Sequence, residues 1–114
     1  LYMERRDVII LQKVISEISV AKHMLNGASF EQYESNEMLK RAICMSVINI
    51  GELVKNLSED CKRQEPLIPW KAIAGFRDIA AHKYQTLRME DVFETVTVDF
   101  PVLEGQLRRM VKEK

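Results

Sequence analysis

At 114 residues the chain is sized for one domain, residues 1–114, able to bury roughly two-thirds of the surface that its unfolded form exposes. With 46% apolar residues and only four glycines it is neither a disordered nor a low-complexity sequence. Seventeen basic and seventeen acidic residues cancel, so a site for a polyanion has to be local rather than a property of the whole molecule.

Residues Glu4 to about Asn26 carry Val8, Leu11, Ile15, Ile18, Ala21 and Leu25 at spacings of three and four, which predicts a first helix with one apolar stripe, stopped by Gly27. Ser29 with Gln32 three positions on predicts a capping box and one short helical turn. Asn36 or Ser35 is the expected cap of a second, longest helix, whose stripe Leu39, Ile43, Val47, Ile50, Val54, Leu57 and Cys61 runs to about Lys62. Ala42 to Ile50 is apolar on more than one face, the pattern of a central helix or of one that meets a second subunit. Within it, Gly51-Glu52 reads either as close helix packing beside a solvated acid or as a subunit contact.

Pro66 and Pro69 mark a linker, and Pro69-Trp70 opens a third helix in which Trp70, Ile73, Phe76 or Arg77, and Ala80 share a face. Glu90-Asp91 begin a fourth, continued by Val92, Phe93, Val96, Phe100, Leu103, Leu107 and Met110 and kinked or broken near Pro101, which removes a backbone hydrogen bond. No segment alternates with period two long enough for a strand. The expected fold is all-α, a four-helix up-and-down bundle. Cys44 and Cys61, placed on the same helix, would stand about 25 Å apart, beyond disulfide reach. With no apolar run of eighteen residues and no signal-peptide pattern, the sequence reads as cytoplasmic, with no membrane partner.

The chemistry is concentrated in Arg77-Asp78-Ile79-Ala80-Ala81-His82-Lys83-Tyr84. Arg77 offers a planar fork of donors suited to phosphate, and His82 is one of two histidines, the residue type used most often for acid–base work at neutral pH. Asp78, four residues before His82, can orient its imidazole for acid–base work or form a surface ion pair. Arg77 alone is equally a rim residue resting its stem on Trp70 or Ile73, and Tyr84 a core-edge aromatic. The R-x-x-x-x-H spacing is a weak signal by itself. On a regular helix Arg77 and His82 lie about 140° apart, so their convergence requires a distortion near Ala81 or a second subunit, whereas Arg77 and Tyr84 nearly coincide. Two histidines and two cysteines do not make a recognisable metal site, and there is no glycine loop for phosphate, so neither metal nor cofactor is expected. His23 lies beside the first stripe and reads as solvated. What remains is Arg and His chemistry, for which a phosphodiester is the natural substrate.

Arg41-Ala42, Ile50-Gly51-Glu52, Ile68-Pro69-Trp70 and the complete R-x-x-x-x-H-x-Y motif occur in the order that resembles the HepT-like members of the HEPN superfamily. These are ribonuclease toxins paired with minimal nucleotidyltransferase (MNT-type) antitoxins. The resemblance covers nearly the whole chain, and the Asp99-Phe100-Pro101 junction shares in it. It implies an all-helical homodimer, a toxin of a type VII-like toxin–antitoxin pair, whose motifs face a shared cleft and cleave RNA without metal. It implies catalytic roles for Arg77 and His82, with Asp78 orienting where many relatives have Asn, and makes Tyr84 the acceptor of AMP from the antitoxin. Two other functions fit the same features: a non-catalytic HEPN dimer that presents substrate or nucleotide to a nucleotidyltransferase, and a helical dimerisation domain without a site.

Overall fold

The computed structural model describes residues 3–112, and every element among them is helical. The first helix, α1 (Arg5–Leu25), buries Val8, Leu11, Ile18, Ala21 and Leu25 of the expected stripe, but at its centre Val14 is buried in place of Ile15, which is only partly covered. It stops one residue earlier than expected, because Asn26 already takes a positive φ of 49°, followed by Gly27 at 73°. Asparagine is among the few residues that tolerate this left-handed region. The capping box of α2 (Phe30–Glu34) forms in full: Gln32 N–H donates to Ser29 Oγ at 3.1 Å, and Ser29 N–H to Gln32 Oε1 at 2.9 Å. That short turn drives Tyr33 into the core against Phe93, with ring centroids 5.4 Å apart.

Asn36 caps α3 (Glu37–Lys55) by accepting from Leu39 N–H at 3.0 Å. The single helix expected to reach Lys62 is instead two, α3 and α4 (Glu59–Arg63), and α1 is the longest element. Ser58 makes the break. Its N–H and hydroxyl both donate to the buried carboxylate of Asp7, at 2.9 and 2.6 Å, and its Oγ accepts from Cys61 N–H at 3.1 Å to cap α4. Leu57 and Cys61 stay buried, so the apolar stripe survives a change of helix. Cys44 and Cys61 therefore sit on different helices, and both are free and buried.

The α5 helix (Trp70–His82) starts after Pro69 and is tied to the linker by Trp70 Nε1, which donates to the carbonyls of Lys62 and Glu65, each at 3.1 Å. A 3-10 turn (Tyr84–Thr86) leads to α6 (Met89–Glu94), a π-helical turn (Thr95–Asp99) and α7 (Phe100–Lys112). The irregularity expected near Pro101 takes this form. Phe100 N–H bonds to the Thr95 carbonyl five residues back, and the widened turn lies just upstream of the proline that cannot donate. The alternating Thr95-Val96-Thr97-Val98 stretch lies within this π turn and forms no strand.

Central α3 packs along both α1 and α5, and α1 also meets α7. Neighbours run antiparallel: Arg6, at the start of α1, donates to the Asn56 carbonyl just past α3 at 2.9 Å, and Arg41, early in α3, meets Tyr84 just past α5. The four long helical stretches thus form the expected up-and-down bundle. A groove of about 430 Å³ separates α5 from α7, lined by Ile73, Phe76, Phe100 and Leu103 with Val47 and Ile50 of α3 beneath. No helix among the described residues is long and apolar enough to cross a membrane.

Candidate active site between α3 and the end of α5

Helix α5 stays regular to its end, for Lys83 N–H still bonds to the Ile79 carbonyl at 2.8 Å. The distortion near Ala81 that would turn Arg77 and His82 toward each other is absent, and the two side chains leave the helix in different directions. Arg77 faces α3, its side chain only 21% exposed. His82 is exposed, and among the described residues it has no hydrogen bond or ion pair.

The stem of Arg77 crosses α3 at Gly51, so closely that a Cβ built there would fall 2.1 Å from Arg77 Cβ. Its guanidinium then meets two carboxylates. Nε lies 3.0 Å from Glu52 Oε1, and Nη1 donates to Asp78 Oδ1 at 3.2 Å. The Nε contact is ionic only: the buried N–H points off the line to Glu52 and has no hydrogen-bond partner. Asp78 also accepts from Lys55 Nζ at 3.4 Å. The hydrogen bond from Arg77, then that from Lys55, holds the Asp78 carboxyl below the usual aspartate range. The helical spacing that can bring Asp78 to His82 is thus used otherwise: its carboxylate is engaged by Arg77 and Lys55.

Tyr84 lies beyond the end of α5, on the 3-10 turn, because Lys83 breaks helical geometry at φ −135° and ψ 39°. It does not share a helical face with Arg77. Its ring packs under Arg41, whose guanidinium carbon is 5.1 Å from the ring centroid and whose Nε pairs with Glu37 at 2.8 Å. Burial first, then the neighbouring Cys44 and Glu37, raises the Tyr84 phenol above its ordinary pKa. The α3 residues that meet Arg77 and Tyr84, Gly51 and Arg41, are ten positions or about 15 Å apart along the helix.

The sequence model of the family described as "Ribonuclease HepT-like" matches residues 14–110. This chain belongs to that family. It is 32% identical over 104 residues to the protein named "Putative RNase TTE0752" of Caldanaerobacter subterraneus subsp. tengcongensis, covering 91% of this chain and 93% of that protein. It is 28% identical over 110 residues to "Probable ribonuclease HepT" of Thermococcus cleftensis, covering 96% of this chain and all (100%) of that one. No solved structure is a significant match.

In this HepT-like chain α3 also lines the candidate site, a contribution that the motif on α5 does not announce. Gly51, Glu52 and Lys55 surround Arg77 and Asp78, and Arg41 covers Tyr84. The signal was present in part, since Arg41-Ala42 and Ile50-Gly51-Glu52 are two of the segments that carry the family resemblance. Sequence could not tell which α5 residue each of them meets. No cluster of three His, Cys, Asp or Glu side chains able to hold a metal ion occurs among the described residues.

Proposed function

We propose that this chain is a metal-independent endoribonuclease toxin, active as a homodimer and silenced by an MNT-type nucleotidyltransferase that transfers AMP to Tyr84. The observation that carries this reading is the R-x-x-x-x-H-x-Y motif, running from Arg77 in α5 to Tyr84 on the turn that follows it, in a chain of a ribonuclease family. His82, exposed and unpaired among the described residues, takes the proton from a ribose 2′-hydroxyl or gives one to the departing 5′-oxygen. The 2′-oxygen bonds to phosphorus as the P–O5′ bond breaks, leaving a 2′,3′-cyclic phosphate and a 5′-hydroxyl. Arg77 stabilises the charge that builds on the phosphoryl oxygens. The role expected for Asp78, orienting His82, has no contact behind it in the free chain, where the carboxylate bonds to Arg77 Nη1 and Lys55 Nζ instead.

Because α5 is regular through His82, one chain does not aim both groups at one phosphate, and a second copy supplies the complementary half. Exposed apolar side chains beside the site favour such a partner: Met38 (83%) and Met45 (56%) on α3 and Ile79 (46%) on α5. Met38, Met45 and Glu52 repeat every seven residues, and so lie nearly on one line along α3. AMP on Tyr84 adds a negative phosphate and a bulky nucleoside at the edge of this surface, with Arg41 the cation nearest to the ring. The compartment that fits this function is the cytoplasm, where RNA and the antitoxin are found.

The test is cleavage of RNA by the purified, unmodified chain in the presence of EDTA, compared with Arg77→Ala and His82→Ala. Cleavage that both substitutions sharply lower, and that a 2′-deoxy nucleotide at the cut position blocks, is the expected result. Intact RNA with the unmodified protein overturns it. A second reading, a non-catalytic dimer that serves a nucleotidyltransferase as binding partner, is favoured by the two carboxylates that already neutralise Arg77. AMP transfer onto Tyr84 by a chain that never cleaves RNA would select it.

A further inference from the structure

Arg77 occupies a crossing where only glycine leaves room for it. A Cβ at position 51 would stand 2.1 Å from Arg77 Cβ, 2.7 Å from its Cγ and 3.2 Å from the Ile73 carbonyl. None of these is the free end of a flexible side chain, so the approach depends on Gly51. One residue further along α3, Glu52 Oε1 sits 3.0 Å from Arg77 Nε, a buried donor with no hydrogen bond. A buried donor in that state is costly, and the carboxylate of Glu52 is the charge beside it that offsets part of the cost.

We propose that Glu52 is a positioning residue for Arg77: it fixes the guanidinium from the Nε side, in the clearance left by Gly51, so that the Nη edge is presented to the scissile phosphate. The inference rests on reading Arg77 as the group that meets the phosphate. A guanidinium anchored at Nε keeps both Nη groups for paired hydrogen bonds to two phosphoryl oxygens. Asp78 occupies Nη1 in the free protein; its side chain, at 52%, is as exposed as that of Glu52, at 53%, but it sits on the Nη edge that a phosphate would use. Lys55, 3.4 Å from Asp78, offers that carboxylate a partner when phosphate displaces it. Glu52 therefore holds the arginine in place while Asp78 yields to substrate.

The experiment compares the full chain with Glu52→Gln and Glu52→Asp, each also in an Arg77→Ala background. Two readouts are taken: RNA cleavage resolved into kcat and KM, and solvent exchange of the Arg77 Nε–H by NMR without RNA. Glu52→Gln is expected to lower kcat by about 10- to 100-fold without raising KM, the scale of loss when a catalytic group is displaced by about 1 Å. Glu52→Asp should recover part of the loss, and Glu52→Gln should cost nothing further once Arg77 is gone. Exchange of the Nε–H should quicken in Glu52→Gln. A loss confined to KM, a full second loss in the Arg77→Ala background, or unchanged Nε–H exchange overturns the proposal. If the unsubstituted chain cleaves no RNA, the ribonuclease reading fails instead, and the exchange measurement alone decides whether Glu52 holds Arg77.

Discussion

Gly51 and Arg77 cross so closely that any side chain at position 51 would have its Cβ 2.1 Å from the Cβ of Arg77. Two effects compete in Gly51→Ala. Alanine improves helix propensity by about 1 kcal/mol, whereas overpacking a fixed crossing costs about 1–3 kcal/mol. Because the clash joins two atoms at the roots of their side chains, only a shift of α5 away from α3 relieves it, and overpacking should win. The expected result is a net loss of about 1–2 kcal/mol in denaturant unfolding, accompanied by weaker RNA cleavage. A rise in the unfolding midpoint would contradict it.

The junction of α3 and α4 should depend on Asp7. Its carboxylate accepts both the N–H and the hydroxyl of Ser58, at 2.9 and 2.6 Å, and is itself only 3% exposed. Asp7→Ala leaves both donors without a partner in a buried setting, for an expected loss of about 2–4 kcal/mol. Asp7→Asn keeps one acceptor and should lose about half as much. Denaturant unfolding of both variants checks this; equal effects from Asn and Ala would show that a single remaining acceptor stabilises nothing and would overturn the division between the two hydrogen bonds.

That same junction shows where sequence reading runs out. The stripe Val54, Leu57, Cys61 keeps helical spacing across the break, and all three are buried, so periodicity alone joins α3 to α4. What separates them is Asp7, 51 residues away in sequence and outside any local window. Local signals fared better: the Ser29 capping box, the Asn36 cap and the start of α5 after Pro69 all depend on residues within one turn. The site follows the same division. Arg77, His82 and Tyr84 stood out as a motif, but Gly51 and Glu52 acquire a role only through the α3–α5 crossing, which joins positions 26 apart or nearly so. The turn of Tyr84 away from the face of Arg77 was hidden for a different reason, since extending α5 by periodicity ignores the break at Lys83.

The two cysteines should be inert in the folded protein. Burial pushes the thiols of Cys44 and Cys61 up to about 11, so near pH 8 only a trace is thiolate, the reactive form. Thiol reagents should titrate none in native protein at pH 8 and two after denaturation. The sign for stability follows from the same shift. The folded state holds these protons to higher pH than the unfolded chain, so this contribution is complete below the ordinary thiol pKa of about 8.5. It declines as pH rises from there toward 11, and unfolding midpoints should fall over that interval in the native chain but less in a Cys44→Ala, Cys61→Ala double variant. Rapid labelling at pH 8 would show that the bundle opens locally around α3 or α4.

Asp78→Asn separates two uses of one carboxylate. If Asp78 acts chiefly by orienting His82, its loss should lower kcat and move the neutral limb of the pH–rate profile. The structure directs the carboxylate to Arg77 Nη1 and Lys55 Nζ, at 3.2 and 3.4 Å, where it competes with phosphate for the same fork. Removing it should therefore tighten RNA binding, by about two- to fivefold, the scale of an exposed ion pair. The gain should shrink as added salt shortens the screening length. Because Arg77 and then Lys55 hold the Asp78 carboxyl below the usual aspartate range, it stays charged throughout the neutral region. Its stabilising contact is present above the ordinary aspartate pKa of about 3.9 and is lost as pH falls through the depressed value. The asparagine variant should lack that acid-dependent contribution while its neutral pH–rate profile stays in place. A higher KM at low salt, or a profile displaced near neutrality, would return Asp78 to the service of His82.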